Sequence, residues 1–176
     1  AYQQSDLIKR GFGAYPPTKG LPELREAIST FINNRFSLTR GLDPETEVLP
    51  VNGTREGLFA VAQALIDPNE PGLTLMPNPF YQIYEGAALL AGSQPYYLPC
   101  TEAQKFLPDL STIPTDVLEQ CRLMFVCTPG NPSGAVMTVE QLQQAIRLSI
   151  EYDFVLVSDE CYSEIYADEL APPPGL

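Results

Sequence analysis

The segment Val155-Leu156-Val157-Ser158-Asp159-Glu160-Cys161-Tyr162 decides the fold of this chain. A short run rich in β-branched residues is followed at once by two carboxylates and a tyrosine. The run comes after a segment of helical periodicity, which predicts a buried strand of a parallel sheet. Open α/β sheets bind ligands at the carboxyl ends of their strands, so Asp159 is predicted to lie at such an edge. By itself, Asp159 could face a cationic ring nitrogen of a cofactor, cap the next segment or pair with an arginine.

The composition restricts the classes of function. The 176 residues can bury one core, so one domain is expected. A formal net charge of -12 argues against nucleic-acid and anionic membrane partners. The absence of histidine excludes Ser-His and Cys-His nucleophiles and His-ligated metals. The cysteines have no metal-ligand spacing and predict reduced thiols in a cytoplasmic protein: Cys100, Cys121, Cys127 and Cys161.

A glycine turn opens a helix in the first third of the chain. Residues 48–51 are predicted to form a short strand, and Gly53, Thr54 and Arg55 follow it at the start of an apolar helix. The first turn of a helix has unsatisfied N–H groups and the positive end of the dipole, which bind phosphate readily. A plain helix N-cap with no ligand is the alternative interpretation.

Other strands are predicted to end at residues with binding potential. Tyr81 follows the predicted strand 73–76 and precedes a helix, where an aromatic ring can form the wall of a flat pocket. The most apolar strand, 123–127, is followed by a loop of prolines and glycines that contains Asn131. Further elements are predicted as a helix from Pro22 to about Phe36, a helix carrying Ile83 and Tyr84, a strand over 94–98, and a helix that begins with a Thr138–Gln141 capping box and carries Val139, Leu142, Ile146 and Ile150.

The alternation of strands and helices predicts an α/β fold with a mostly parallel sheet and crossover helices. The carboxyl ends of parallel strands meet at one edge, which would bring together the glycine turn, Tyr81, Asn131, Asp159 and Tyr162. Such a set suits a flat, phosphorylated, cationic aromatic ring. Pyridoxal phosphate has this chemistry.

These motifs resemble those of the fold type I, pyridoxal-phosphate-dependent aminotransferases of classes I and II. The resemblance spans most of the chain, from Tyr15-Pro16-Pro17-Thr18-Lys19-Gly20 to Ser158-Asp159-Glu160-Cys161-Tyr162. It implies the large, cofactor-binding domain of that fold. It also implies a homodimer, because Tyr15 matches a tyrosine that reaches the cofactor phosphate of the neighbouring subunit.

The resemblance gives each predicted residue a role. Gly53, Thr54 and Arg55 would bind the cofactor phosphate, and Tyr81 would stack on the ring. Asn131 of Asn131-Pro132-Ser133-Gly134 and Tyr162 would bond the ring oxygen. Asp159 would pair with the pyridine nitrogen.

Two motifs look most like those of the succinyldiaminopimelate aminotransferases of bacterial lysine biosynthesis. They are residues 78–86, Asn-Pro-Phe-Tyr-Gln-Ile-Tyr-Glu-Gly, and residues 158–166, Ser-Asp-Glu-Cys-Tyr-Ser-Glu-Ile-Tyr. This implies amino-group exchange between N-succinyl-LL-2,6-diaminopimelate and glutamate or 2-oxoglutarate.

The resemblance also implies that residues 1–176 are part of one large domain, incomplete at both ends, without the N-terminal arm and the C-terminal small domain. The Schiff-base lysine of the family is expected beyond Leu176, because Lys9, Lys19 and Lys105 lie at the wrong positions. The catalytic residue is therefore unknown, and this piece alone is expected to be inactive. Two alternatives stay open: another pyridoxal phosphate reaction on this fold, such as that of a C–S lyase or synthase, or a non-catalytic ligand-binding fragment.

Overall fold

The computed structural model of the chain describes residues 5–168 and 171–176. It has two compact units, Ala1–Val51 and Asn52–Leu176. The assignment of residues 1–176 to one large domain stays a prediction.

The first unit contains the helices α1 (Ser5–Gly13) and α2 (Pro22–Phe36). Sequence periodicity did not indicate α1. The bounds of α2 agree with the prediction, and its first turn contains a proline, which lacks the N–H that this turn leaves unsatisfied.

The buried side of α2 is polar, which the sequence did not indicate. The apolar residues Leu24 and Phe31 of this helix are exposed, whereas Arg25 and Ser29 are buried. Arg25 donates to the Pro44 carbonyl and to the Glu45 carboxylate, both at 2.8 Å. The hydrogen bonds and the opposite charge offset the cost of burying the guanidinium group.

The second unit alternates helices and strands, as predicted. Its regular elements are α3 (Thr54–Leu65), β1 (Leu73–Asn78), α4 (Ile83–Leu90), β2 (Gln94–Pro99), α5 (Thr115–Glu119), β3 (Cys121–Cys127), α6 (Val139–Tyr152) and β4 (Val155–Asp159), with short 3₁₀ helices at Glu102–Gln104 and Leu110–Thr112. The predicted capping box is present at the start of α6, where Thr138 and Gln141 bond each other's backbone N–H groups.

The four strands form one parallel sheet in the order β2-β1-β3-β4. Helices α4, α5 and α6 lie in the connections between successive strands. The predicted α/β fold with a parallel sheet and crossover helices is confirmed. The register pairs Cys127 with Asp159, so the carboxyl ends of the two strands β3 and β4 lie side by side.

The core has two parts, and alternate residues of β3 belong to different parts, as the strand period of two requires. Leu123 and Phe125 pack with residues of α3 and α4. Met124 and Val126 pack with residues of α5 and α6. Helices therefore cover both faces of the sheet, which fixes the positions of the strand ends.

Three predictions about local structure were wrong. Residues 48–51 do not form a strand, since Pro50 has no N–H to donate to a ladder and Leu49 is mostly exposed. Strand β4 is only half-buried, because among the described residues it pairs with β3 alone and Val155 is exposed. The predicted apolar face of α6 is buried at Leu142 but exposed at three of its positions: Val139, Ile146 and Ile150. Among the described residues, no helix is both long and apolar enough to cross a bilayer.

Candidate active site

The start of α3 has the backbone geometry of an anion site. Gly53 precedes the helix with φ of 99°, a region that favours glycine, and no side chain caps the first turn. The N–H groups of this turn and the positive end of the helix dipole therefore remain available at the surface. Thr54 and Arg55, the first two helical residues, are exposed beside them.

The side chain of Arg55 connects this turn to the aromatic residue after β1. Its Nε donates to the Tyr81 hydroxyl at 2.7 Å, and its guanidinium carbon lies 5.5 Å from the centre of the Tyr81 ring. The structure thus brings together the predicted phosphate-binding turn and the predicted ring wall. It does so through residues 26 positions apart in the chain.

Tyr84 extends this contact into the core. Its ring meets Tyr81 edge to face, with centroids 6.0 Å apart, and stacks on Phe125 of β3 at 4.7 Å. The ring of Tyr84 is fully buried. Sequence analysis assigned this tyrosine to the helix only. Its position three residues after Tyr81, on the same side of one helical turn, was the available signal.

Asp159 ends β4, as predicted, and the residue is 5% exposed. Oδ2 accepts a hydrogen bond from the Tyr84 hydroxyl at 2.7 Å, and Oδ1 accepts one from the Cys161 N–H at 3.3 Å. The second bond is a turn contact of the capping kind. No ion pair between Asp159 and an arginine or lysine is present in the described part of the chain.

Burial and the neighbouring carboxylate both act on Tyr84. Burial is the larger cause and the hydrogen bond to Asp159 the next, and together they raise the pKa of the Tyr84 hydroxyl far above its ordinary value. The hydroxyl therefore stays protonated and donates to Asp159 throughout the physiological range.

The loop after β3 positions Asn131 through its own hydrogen bonds. Gly134 donates to the Gly130 carbonyl at 2.7 Å, and Gly130 donates to Ala135 at 2.8 Å. Gly134 has φ of 71°, which explains the glycine in Asn-Pro-x-Gly. Thr128 holds both ends of the loop. Its N–H donates to the Asp159 carbonyl at 3.2 Å, and its hydroxyl oxygen accepts from the Met137 N–H at 3.0 Å.

Asn131 and Tyr162 line one groove of about 680 Å³. Tyr162 is 37% exposed. The rest of the lining is mostly apolar and includes residues of the segment after β4, such as Ile165 and Pro172. The two residues predicted to bond one ring oxygen therefore lie at the same opening.

Cys127, the last residue of β3, is a neighbour of several residues of the candidate site. It is beside the Tyr84 hydroxyl and the backbone of Asn131, and it is paired in register with Asp159. Burial raises the pKa of the Cys127 thiol, and the adjacent Tyr84 hydroxyl and Asn131 backbone partly offset this rise. The thiol is therefore uncharged at this strand end.

Tyr15 belongs to the first unit and is 98% exposed. Its predicted contact with the cofactor of a neighbouring subunit stays a prediction. The roles of Gly53, Thr54, Arg55, Tyr81, Asn131, Asp159 and Tyr162 likewise stay predictions.

A family model described as "Aminotransferase class I and II" matches residues 2–174. The chain belongs to this family of aminotransferases. Aminotransferases of classes I and II depend on pyridoxal phosphate, in agreement with the cofactor that the strand-end residues indicate.

Relatives of known name or structure support the family and the fold. The LL-diaminopimelate aminotransferase of Moorella thermoacetica is 36% identical over 92% of this aminotransferase chain and 40% of its own length. An aminotransferase structure from Neisseria meningitidis is 40% identical, with a TM-score of 0.87 over 97% of this chain and 44% of that one. A probable N-succinyldiaminopimelate aminotransferase from Thermus thermophilus is 26% identical, with a TM-score of 0.85 over 97% of this chain and 45% of that one. The chain thus spans less than half the length of these relatives.

The residues of this aminotransferase chain fit pyridoxal phosphate. The uncapped start of α3 and Arg55 provide hydrogen-bond donors and positive charge for a phosphate. Tyr81 provides an aromatic face, and Asp159 a buried carboxylate of the sign that a protonated ring nitrogen requires. Asn131 and Tyr162 provide an amide and a hydroxyl for a ring oxygen.

Proposed function

We propose that the intact protein transfers an amino group from a diaminopimelate-type substrate to 2-oxoglutarate, with pyridoxal phosphate as cofactor, in lysine biosynthesis. The observation that carries this proposal is one continuous path of contacts from Arg55 through Tyr81 and Tyr84 to Asp159. The path joins a phosphate-type site to a buried carboxylate by way of an aromatic wall. The three parts match the two ends and the face of the cofactor.

Each residue has a distinct task in this proposal. Arg55 and the first turn of α3 bind the phosphate and fix the position of the ring. Asp159 holds the proton on the ring nitrogen, because a buried carboxylate stabilises the neighbouring positive charge. Asn131 and Tyr162 orient the ring by hydrogen bonds to its oxygen. Pyridoxal phosphate, when bound, supplies a protonated ring that withdraws electrons from the substrate.

Two amino donors are compared as substrates. The motifs at residues 78–86 and 158–166 favour N-succinyl-LL-2,6-diaminopimelate, and the Moorella relative is named for LL-diaminopimelate. The test incubates the intact protein with each donor and 2-oxoglutarate and measures glutamate. Glutamate from one donor at a kcat/KM at least tenfold above that for other amino acids supports the proposal. Ammonia release without an acceptor would indicate a lyase instead.

Cofactor attachment is tested separately. The intact protein is incubated with pyridoxal phosphate, reduced with borohydride and weighed by mass spectrometry. One reduced cofactor per chain is expected, on a lysine. The absence of any adduct would favour a non-catalytic ligand-binding protein.

A homodimer is part of the proposal, with Tyr15 reaching the cofactor phosphate of the partner. Sedimentation analysis is expected to give a dimer. Tyr15→Phe is expected to weaken cofactor binding several-fold, the effect of one hydrogen bond. A monomer that binds the cofactor with unchanged affinity would contradict this part.

A further inference from the structure

Tyr84 is held by the core independently of its hydroxyl group. Its ring is fully buried, stacks on Phe125 with planes 11° apart, and belongs to the same part of the core as Leu58 and Met76. A phenylalanine has the same ring and would make the same apolar contacts. Packing alone therefore does not account for a tyrosine at this position.

The hydroxyl makes one short hydrogen bond, to the Asp159 carboxylate, and it also lies beside the Cys127 thiol. It donates to Asp159 Oδ2 at 2.7 Å, across 75 residues of sequence. The other oxygen of the carboxylate, Oδ1, is held by the Cys161 N–H at 3.3 Å. Two donors on two different oxygens fix the plane of the carboxylate, and the shorter and better-placed bond comes from Tyr84.

The surroundings increase the importance of this bond. Asp159 is almost fully buried, and in the described part of the chain no cation pairs with it. Hydrogen bonds offset the cost of burying a carboxylate. The hydroxyl of Tyr84 is a permanent donor here, because burial and Asp159 itself oppose its ionisation.

We propose that Tyr84 is a positioning residue of the cofactor site: its hydroxyl fixes the orientation of the Asp159 carboxylate towards the ring nitrogen. The inference rests on the proposed function, since it takes pyridoxal phosphate as the ligand. Tyr84 also supports the ring wall, because it meets Tyr81 edge to face. Two tyrosines three residues apart, Tyr81 before α4 and Tyr84 in its first turn, thus support both the aromatic wall and the carboxylate of the proposed site.

The experiment is a double-mutant cycle in the intact protein, with the dissociation constant of pyridoxal phosphate as readout. Tyr84→Phe is expected to raise this constant about tenfold, the lower range for a hydrogen bond to a charged group. In the Asp159→Ala background the same change is expected to have less than a twofold effect, because the hydroxyl then has no carboxylate to hold. Equal effects in both backgrounds would overturn the proposal and leave Tyr84 a structural role.

A spectroscopic readout separates positioning from packing. The pH at which the absorption of the bound cofactor changes is expected to shift by about one unit in Tyr84→Phe, since a tenfold change in the ionisation equilibrium corresponds to one unit. An unchanged midpoint would overturn the proposal.

Tyr97→Phe is the matched control. The Tyr97 hydroxyl also donates to a carboxylate, that of Glu85, but at the surface. Tyr97→Phe is expected to leave the dissociation constant of pyridoxal phosphate and the pH midpoint of its absorption change as they are in the unmodified protein. A shift as large as that of Tyr84→Phe would show a general effect of losing a tyrosine hydroxyl and would overturn the proposal.

The experiment also covers a Tyr84→Phe variant that does not fold and a wild-type protein that does not bind the cofactor. If Tyr84→Phe alone does not fold, the double variant is compared with Asp159→Ala: equal cofactor affinity supports the proposal, and a tenfold loss overturns it. If the wild-type protein binds no pyridoxal phosphate, the proposed function itself fails, which is seen before any variant is made.

Discussion

The inner part of the candidate site, around Asp159 and Tyr84, differs sharply from the outer part, around Gly53, Arg55 and Tyr162. The inner side chains are buried, and their polar atoms bond each other. The outer residues are exposed, and the first turn of α3 has no capping side chain. The inner part is therefore organised by the protein itself, whereas the outer part keeps its donors available for a ligand.

This difference predicts where substitutions act. A change in the inner part removes a charge from an environment of low dielectric constant, where electrostatic interactions are strong. A change in the outer part removes a contact that water and salt already weaken. Substitutions in the inner part are therefore expected to have larger effects than substitutions in the outer part.

Asp159→Ala is expected to give the largest effect, a loss of about 10³-fold in kcat, comparable with the loss of a preorganised electrostatic partner. Steady-state kinetics of the intact enzyme measure this. The control is Asp116→Ala, which removes an exposed carboxylate at the start of α5 and is expected to change kcat by less than twofold. A loss below tenfold for Asp159→Ala would remove the distinction between the inner and outer parts.

Cys161 tests the boundary between the two parts. Partial burial, followed by the charge of Asp159, raises the pKa of the Cys161 thiol to about 11. The rate at which iodoacetamide alkylates Cys161 in the folded protein is therefore expected to rise up to about pH 11. In the unfolded chain this rate is expected to level off near pH 8.5–9.

At pH 8 the folded protein is expected to be alkylated at Cys161 about twentyfold more slowly than the unfolded chain, since a more basic thiolate regains part of the loss in thiolate fraction. Peptide mass spectrometry measures the rate at this residue, with Cys161→Ser as the control. A plateau near pH 8.5 in the folded protein would place the thiol outside the influence of the carboxylate.

Arg55→Ala is expected to raise the dissociation constant of pyridoxal phosphate about tenfold, because it removes a charge from an exposed phosphate site. The effect is expected to shrink in high salt. Arg147→Ala, an exposed arginine on α6, is the control and is expected to have no effect. A salt-independent effect would mean that Arg55 acts mainly by holding the Tyr81 hydroxyl.

Tyr162→Phe is expected to have the smallest effect, a loss of about two- to tenfold in kcat/KM, the effect of one neutral hydrogen bond at a partly exposed position. Steady-state kinetics with the amino donor that gives glutamate measure it. A loss equal to that of Asp159→Ala would contradict the assignment of the two residues.

Elements with a strong local signal could be predicted from the sequence. The capping box at Thr138, the proline at the start of α2 and the apolar run of β3 each indicated an element that the structure contains. The end of β4 at Asp159 was also predicted. These features depend on neighbouring residues in the chain, so local patterns are sufficient.

Features that depend on distant residues could not be predicted. The bond from Tyr84 to Asp159 depends on the register of β3 and β4 and on the position of α4 against the sheet. The buried Arg25 depends on Glu45, 20 residues away. In each case, local periodicity identified the helix but did not identify the partner of its polar residue.

Strand β4 gives the site one more property. Its end carries Asp159, and among the described residues the strand is paired on one side only, with β3. A parallel strand that adds to the other side would lie about 4.8 Å away and could bring its own carboxyl end next to this carboxylate. The same pairing that extends the sheet at this edge would therefore also place a further side chain beside Asp159.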